Sequence, residues 1–374
     1  MKTITGAAAS ALIFATDKSG IEDYAMAQIK NLCDNKAFTG CKIRIMPDVH
    51  PGKVGTIGFT STLGPAILPN VISIDIGCGV TIARIKGRTK EFQKLDTVIR
   101  EHVPAGSSVR KAVHSYASDL DLSKLFCARH VQLEKALLSL GTLGSGNHFI
   151  ELDQDADHTT YLSIHSGSRH LGKEVTEYYL MEGQKALKRQ HVDIPYELTY
   201  LEGDLMDAYL HDLEIVQKYA ALNREIMLQE ICKGMKWKIL DSFSCIHNYV
   251  DFQDTTPILR KGAISARKEE PVLIPINMRD GIILGTGLGN EDWNCSAPHG
   301  AGRILKREDV KNKFTVSSYK KEMKGIYSSC IGKETLDEAP FAYRDLDTIK
   351  EAIADTVKIH KIIKPIYNYK AGSL

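Results

Sequence analysis

The chain has 374 residues, 43% of them hydrophobic, enough to bury a sizeable core. Its 48 Lys+Arg are nearly balanced by 46 Asp+Glu, so a net charge of +2 excludes nucleic-acid binding by bulk electrostatics and leaves only a local basic groove. No apolar run reaches the roughly 18–20 residues of a membrane span, and eight cysteines without a CxxC pair argue against a disulfide framework or a zinc knuckle.

The apolar stretch Gly6–Ala15 resembles a signal-peptide core, but only Lys2 precedes it and it runs into Thr16-Asp17, a helix-cap signal. Ala11–Ala15 therefore reads as a strand and the chain as cytoplasmic. Ile21, Tyr24, Ala25, Ile29 and Leu32 then recur at helical spacing. Strands are expected at 42–46, 71–76 and 80–85, followed by helices marked by Phe92, Leu95, Val98 and Ile99 and by Leu133, Ala136, Leu137 and Leu140. A strand at 161–165 precedes the longest helix, about 205–231, which carries Tyr209, Leu213, Val216, Ala220 and Met227 on one face. The last expected strands are 239–246, 272–276 and 281–285. Strands and helices do not alternate regularly, which predicts an α+β fold. The expectation is a mixed sheet core with helices outside, in one large domain over residues 1–374.

Histidines flanked by Gly, Asn or Asp cluster at the ends of these strands: His50, His148, His165, His247 and His299. Asp75-Ile76-Gly77-Cys78-Gly79 has the same character. One such histidine is more often structural than a ligand, and His102, His114, His130, His158, His191, His211 and His360 receive no role. Five with a glycine-flanked Cys are how a scaffold presents ligands to one cleft. Thiolate, imidazole and carboxylate together suit a divalent transition ion, whereas magnesium prefers oxygen alone. Asp75 and Cys78 can face one ion across a glycine turn, and a thiolate can bridge two ions, an arrangement suited to phosphoryl chemistry. The Gly-rich runs 141–146 and 285–289 can offer backbone N–H groups to phosphate, but neither matches a dinucleotide fingerprint or a P-loop.

Eight strings in order then carry a resemblance: MPDVHPG (46–52), DIGCGV (75–80), GTLGSGNHFIE (141–151), IHSGSRHLG (164–172), IHNYV (246–250), RKGA (260–263), NCSAPHGAGR (294–303) and DEAPFAYRD (337–345). They resemble the RtcB family over about residues 41–370. That family comprises GTP- and manganese-dependent RNA ligases, which join a 3′-phosphate or 2′,3′-cyclic phosphate end to a 5′-hydroxyl.

The resemblance implies that His299 is the nucleophile that takes GMP from GTP, with Gly300 and Gly302 leaving room for the nucleotide and Arg303 neutralising phosphate. It implies two manganese ions on Asp75, Cys78, His148, His165 and His247, bridged by Cys78. Asn147 would meet the nucleotide phosphate or ribose, Glu151 the guanine edge and Tyr343 its face, and Lys370 would also meet the nucleotide. A lysine so near the chain end is ordinarily solvated. Asp48 and His50 take a supporting or RNA-contacting role. Many members read Pro-Gly-Ser-Met-Gly where this chain has Pro275-Ile276-Asn277-Met278-Arg279, so Asn277 and Ile282 stand where small hydroxyl residues are expected around guanine. With the insert-like stretch 290–294 this suggests a short divergent branch, serving RNA repair or tRNA splicing as a monomer. The competing readings are a metal-dependent RNA phosphodiesterase or cyclic phosphatase without ligation, for which His299, Arg303 and Lys370 would be superfluous, and a non-catalytic RNA binder, which would not need the full ligand set.

Overall fold

The computed structural model describes residues 2–15 and 20–371; the expected cap at Thr16-Asp17 lies outside them. In chain order, β1 (Lys2–Thr5) and β2 (Ser10–Ile13) form a hairpin, and helix α1 (Asp23–Asp34) carries the chain over to β3 (Lys42–Pro51), which runs parallel to β2. Ala25, Ile29 and Leu32 face inward from α1 and are buried with Ile43 and Ile45 of β3. After β4 (Thr56–Thr62) and the short β5 (Ala66–Ile67), the expected strand 71–76 is instead a helical turn, α2 (Pro69–Ile72). Pro69 suits the first turn of a helix, and Ser73 at φ 126° and Gly77 at φ 70° rule out an extended run. Val71, Ile72 and Ile76 are apolar because they pack in the core, not because they pair.

The middle of the chain holds β6 (Gly79–Lys86), α3 (Phe92–His102), α4 (Leu133–Leu138), β7 (Phe149–Gln154), β8 (Thr160–Ser166), α5 (Arg169–Arg189), β9 (Leu201–Glu202) and α6 (Gly203–Met235). Then follow β10 (Lys238–Ile246), β11 (Asn248–Asp251), β12 (Ile258–Lys261), β13 (Ala263–Ser265), β14 (Pro271–Asn277), β15 (Gly281–Gly287) and β16 (Ser296–Pro298). Short helices α7 (Arg307–Lys313), α8 (Val316–Glu322) and α9 (Leu346–Ala352) precede the long last strand β17 (Val357–Tyr369).

Two sheets organise these elements, in the orders β1-β2-β3-β4-β12-β11 and β10-β6-β8-β7-β17-β15-β14. Apart from β2–β3, the neighbouring strands of both sheets are antiparallel. The α+β expectation therefore holds. His247 is the single residue between β10 of one sheet and β11 of the other, and its backbone is pinned to both sides: its N–H donates to Cys78 O at 2.9 Å, and its carbonyl accepts from Gly262 N at 2.7 Å.

The seven-stranded sheet has two unlike faces because side chains alternate along each strand. Ile150 and Leu152 of β7, with Leu162 and Ile164 of β8, are buried with Leu95, Val98 and Ile99 of α3 and Met227 and Ile231 of α6. Phe149, Glu151 and Asp153 point to the other face, where the site lies. The predicted face of α6 is fully buried, as Tyr209, Leu213, Val216, Ala220 and Met227 are all 0% exposed. No helix of the described residues is long and apolar enough to cross a membrane.

Candidate functional site

The first part of the site is a turn between α2 and β6. Gly77 sits there at φ 70°, and a Cβ would stand 2.9 Å from Ala220 Cβ and 3.0 Å from Gln217 Cα, so only glycine brings this turn against α6. Arg224 of α6, completely buried, donates through Nη1 to Gly77 O (2.8 Å) and Ser166 O (2.9 Å). Its neighbour Asn223 accepts from Gly141 N and Thr142 N and donates to Gly167 O. Two polar residues of one helix thus hold the loops that carry Asp75 and Cys78 and His148, and the end of β8 that carries His165.

Cys78 Sγ lies 3.5 Å from His148 Nε2 and 3.3 Å from His165 Nε2. His148 Nε2 is 3.1 Å from Asp75 Oδ2, and His165 Nε2 is 3.4 Å from His247 Nε2. The ligand atoms fall into two groups, Asp75–Cys78–His148 and Cys78–His165–His247, that share the thiol. His148 Nδ1–H donates to Leu143 O (2.8 Å) and His165 Nδ1–H to Asn147 O (3.2 Å), so in the neutral rings both Nε2 atoms present lone pairs. Burial and neighbouring positive groups, histidines foremost, drive His165 and His247 far below the usual imidazole range, and burial with the Asp75 charge pushes the Cys78 thiol up. Against its own burial, Asp75 is held well below the carboxylate range by its contact with His148 when that ring also carries a proton at Nε2, the place a cation would otherwise take. One thiol proton can satisfy one of these contacts; a cation between the atoms satisfies all of them. Thiolate, imidazole and carboxylate together fit a divalent transition ion, and the shared thiol fits a pair of them.

His299 follows β16 and stands beside this cluster, its ring centroid 4.7 Å from that of His247. Its Nδ1–H donates to the Oδ2 of fully buried Asp48 at 2.7 Å, which leaves Nε2 as a free nucleophile. The expectation for Gly302 needs correcting. At φ 73° its missing Cβ makes way for Asp48 O (2.3 Å) and Arg344 Nη1 (2.4 Å), so the glycine serves close packing rather than room for a ligand. At Gly300 only Pro275 O lies near a Cβ, at 3.2 Å.

His299 opens onto a cleft. Asn147, Glu151, Asn277, Arg303, Tyr343 and Lys370 line it together, and so do His165 and His247. Lys370 is buried, not solvated: Nζ donates to Glu338 Oε2 (2.9 Å) and lies 3.4 Å from Asn147 O. Glu338, inside the string DEAPFAYRD but with no role expected from the sequence, also receives Tyr343 OH (2.6 Å), Arg307 (2.6 Å) and Arg303 (3.3 Å). Burial opposes its charge, but Lys370, Arg307 and Arg303 hold its carboxyl down at about 2.

Three expectations change in detail. Arg303 also donates to Asp337 O and lies 5.1 Å over the Tyr343 ring, so its guanidinium is engaged with the protein and covers one face of that tyrosine. Asn277 spends its amide on the β14–β15 turn, accepting from Arg279 N and Asp280 N and donating to Asp280 Oδ2. Ile282 is buried in the core on β15, opposite Pro275 and Ile363, and does not line the cleft. The stretch 290–294 packs on the first sheet, where Trp293 stacks on Phe14 at 4.0 Å.

Comparison with known proteins decides the family. The family model described as tRNA-splicing ligase RtcB matches residues 28–129 and 123–371. The chain belongs to the RtcB family. It is 30% identical over 355 residues to RNA-splicing ligase RtcB of Escherichia coli (strain K12), covering 85% of this chain and 87% of that protein. It is 26% identical over 446 residues to tRNA-splicing ligase RtcB of Nanoarchaeum equitans (strain Kin4-M), covering 94% and 92%. Similarity to RNA-splicing ligase RtcB2 of an Escherichia coli strain is 26% over 375 residues. The RtcB relatives thus match across most of the length that forms the cluster and the cleft.

Proposed function

We propose that this chain is a GTP- and manganese-dependent RNA ligase that joins a 3′-phosphate or 2′,3′-cyclic phosphate end to a 5′-hydroxyl. The observation that carries this reading is His299: its Nδ1 is tied to Asp48, its ring adjoins the ligand cluster, and it shares a cleft with Glu151 and Lys370. A phosphodiesterase would need the cluster but not that histidine.

In this reading His299 Nε2 attacks the α-phosphorus of GTP and pyrophosphate leaves, giving a histidine–GMP phosphoramidate. The RNA 3′-phosphate then displaces His299 and takes GMP, and the 5′-hydroxyl attacks the activated phosphorus and expels GMP. A cyclic end is first hydrolysed to the 3′-phosphate. Asp48 holds the imidazole in the nucleophilic tautomer and stabilises the charge that grows on it during attack. Asp75, Cys78, His148, His165 and His247 would hold two manganese ions, whose chemistry is to neutralise charge on the nonbridging phosphate oxygens. Glu151 accepts from guanine N1–H and N2–H, which adenine cannot offer as a pair. Lys370 and Asn147 border the same cleft and orient the nucleotide.

The test is incubation with α-labelled GTP and manganese, followed by denaturing electrophoresis and by joining of a 3′-phosphate RNA to a 5′-hydroxyl RNA. Acid-labile label that disappears in His299→Ala, together with loss of joining, is the expected result. Cyclic-phosphate opening without label or joined product would establish the phosphodiesterase reading instead.

A further inference from the structure

On the cleft face of the seven-stranded sheet, a polar row crosses three strands. Glu151 of β7 pairs with Ser163 of β8 on one side and with Asn368 of β17 on the other, and Asp153 lies two residues along β7 on the same face. All four are at most 3% exposed. Asn368 Nδ2 donates to Glu151 Oε2 at 2.6 Å, and Ser163 Oγ donates to Asp153 Oδ2 at 2.8 Å. Polar side chains in the middle of a buried sheet are costly, so each needs a partner. Asn368 Oδ1 has none, although it is buried and its residue lines the cleft.

The two carboxyls cannot both be charged here. Burial raises Glu151 and raises Asp153 further, because the Glu151 charge adjoins it, while Lys370 favours the charge on Glu151. A proton kept on Asp153 turns their contact into a hydrogen bond and leaves Glu151 as the acceptor. Asn368 and Asp153 then hold Glu151 from two sides.

Resting on the guanylylation reading above, we propose that Asn368 is a second base-reading residue: its Oδ1 accepts the second hydrogen of the guanine 2-amino group, beside the one Glu151 takes, while Asp153 positions Glu151 from behind. The exocyclic amine has two hydrogens, and of the two unpaired oxygens in this row, Asp153 Oδ1 and Asn368 Oδ1, only that of Asn368 belongs to a residue lining the cleft beside the carboxylate that reads N1. Inosine keeps N1–H and O6 but lacks the amine, so it isolates the contact.

The experiment compares protein labelling by GTP and by inosine triphosphate at subsaturating concentration, with equilibrium binding of GMP and IMP as a readout free of chemistry. Wild-type protein should favour guanine by roughly 10- to 100-fold, the loss of two buried hydrogen bonds. Asn368→Leu should cut that ratio by about 5- to 10-fold. Asp153→Leu, which loosens Glu151, should weaken both nucleotides through N1–H and lower the guanine ratio less than Asn368→Leu does, because the Asn368 contact to the amine remains; Asp153→Asn, which can still donate to Glu151, should restore binding of both. Equal use of the two nucleotides by wild-type protein overturns the inference without any variant. So does an equal change of the ratio in Asn368→Leu and Asp153→Leu, which would mean that Asn368 acts only through Glu151. Labelling by neither nucleotide would overturn the ligase reading itself, and this inference with it.

Discussion

Asp48 Oδ2 and His299 Nδ1 meet at 2.7 Å across 251 positions of sequence, joining β3 of the first sheet to the loop after β16. The carboxylate is fully buried and the imidazole partly open to the cleft. The pair therefore decides which ring nitrogen faces the cleft.

Asp48→Asn keeps the shape but can donate to Nδ1, which favours the wrong tautomer. Single-turnover guanylylation should fall by roughly 10³- to 10⁴-fold, as expected when a histidine loses the carboxylate that orients it. Nucleotide binding should stay within a few fold. A loss of binding as large as the loss of rate would assign Asp48 to the pocket and not to the nucleophile.

Cys78 belongs to both ligand groups, so its loss should be felt at both. Cys78→Ala should reduce bound manganese from two ions per chain and abolish labelling, whereas His247→Ala should spare the Asp75–His148 side. Because a thiolate favours zinc over manganese, zinc should bind and inhibit wild-type protein. Metal analysis after dialysis, alongside labelling, checks both statements; undiminished metal in Cys78→Ala removes the bridge.

Gly77→Ala tests the turn. The added methyl must enter space within 3.0 Å of α6 atoms at a positive φ, so the turn has to move. About 1–3 kcal/mol of stability should be lost, with manganese affinity falling more steeply than in Gly20→Ala. Gly20 also has a positive φ but open space around it. Urea denaturation and metal titration measure the two effects.

Glu338 should make stability acid-sensitive. Its folded carboxyl titrates at about 2 against an ordinary 4.5, so the stabilisation is complete above about 4.5 and is lost as pH falls toward 2. That shift corresponds to about 3 kcal/mol. Glu338→Gln should flatten the slope of stability against pH in this window. At neutral pH it should cost about 3–5 kcal/mol, because Lys370 and Arg303 are left buried with less counter-charge. Thermal melts from pH 2 to 7 would show an unchanged slope if the carboxylate were not the group responsible.

Much of this was legible in the residues. Helical periodicity located α1, α3, α4 and α6, because an amphipathic helix must repeat its apolar face every three to four residues. Glycine-flanked histidines and a cysteine announced ligands, since side chains of that chemistry are rarely gathered for packing alone. Two strands of the cleft, β7 and β17, have no such pattern. β7 reads Phe-Ile-Glu-Leu-Asp-Gln and β17 contains three lysines, His360 and Pro365, so neither looks like a buried strand. Their polar residues sit inside the sheet because Glu151, Asp153, Asn368 and Lys370 face one another there. Helix α5 shows no clear apolar stripe in the sequence, and the apolar run 71–76 has the pattern of a strand although Pro69 and Ser73 make its start a helical turn.

The amino-acid sequence by itself determined the candidate ligands, the nucleophile candidate and the helices α1, α3, α4 and α6, because each depends on residue type and local spacing. Only tertiary structure decided which atoms meet: that Asp48 sets the tautomer of His299, and that Glu338 gathers Arg303, Arg307, Tyr343 and Lys370. Those contacts span up to hundreds of positions and arise from sheet register and burial, which no local pattern encodes.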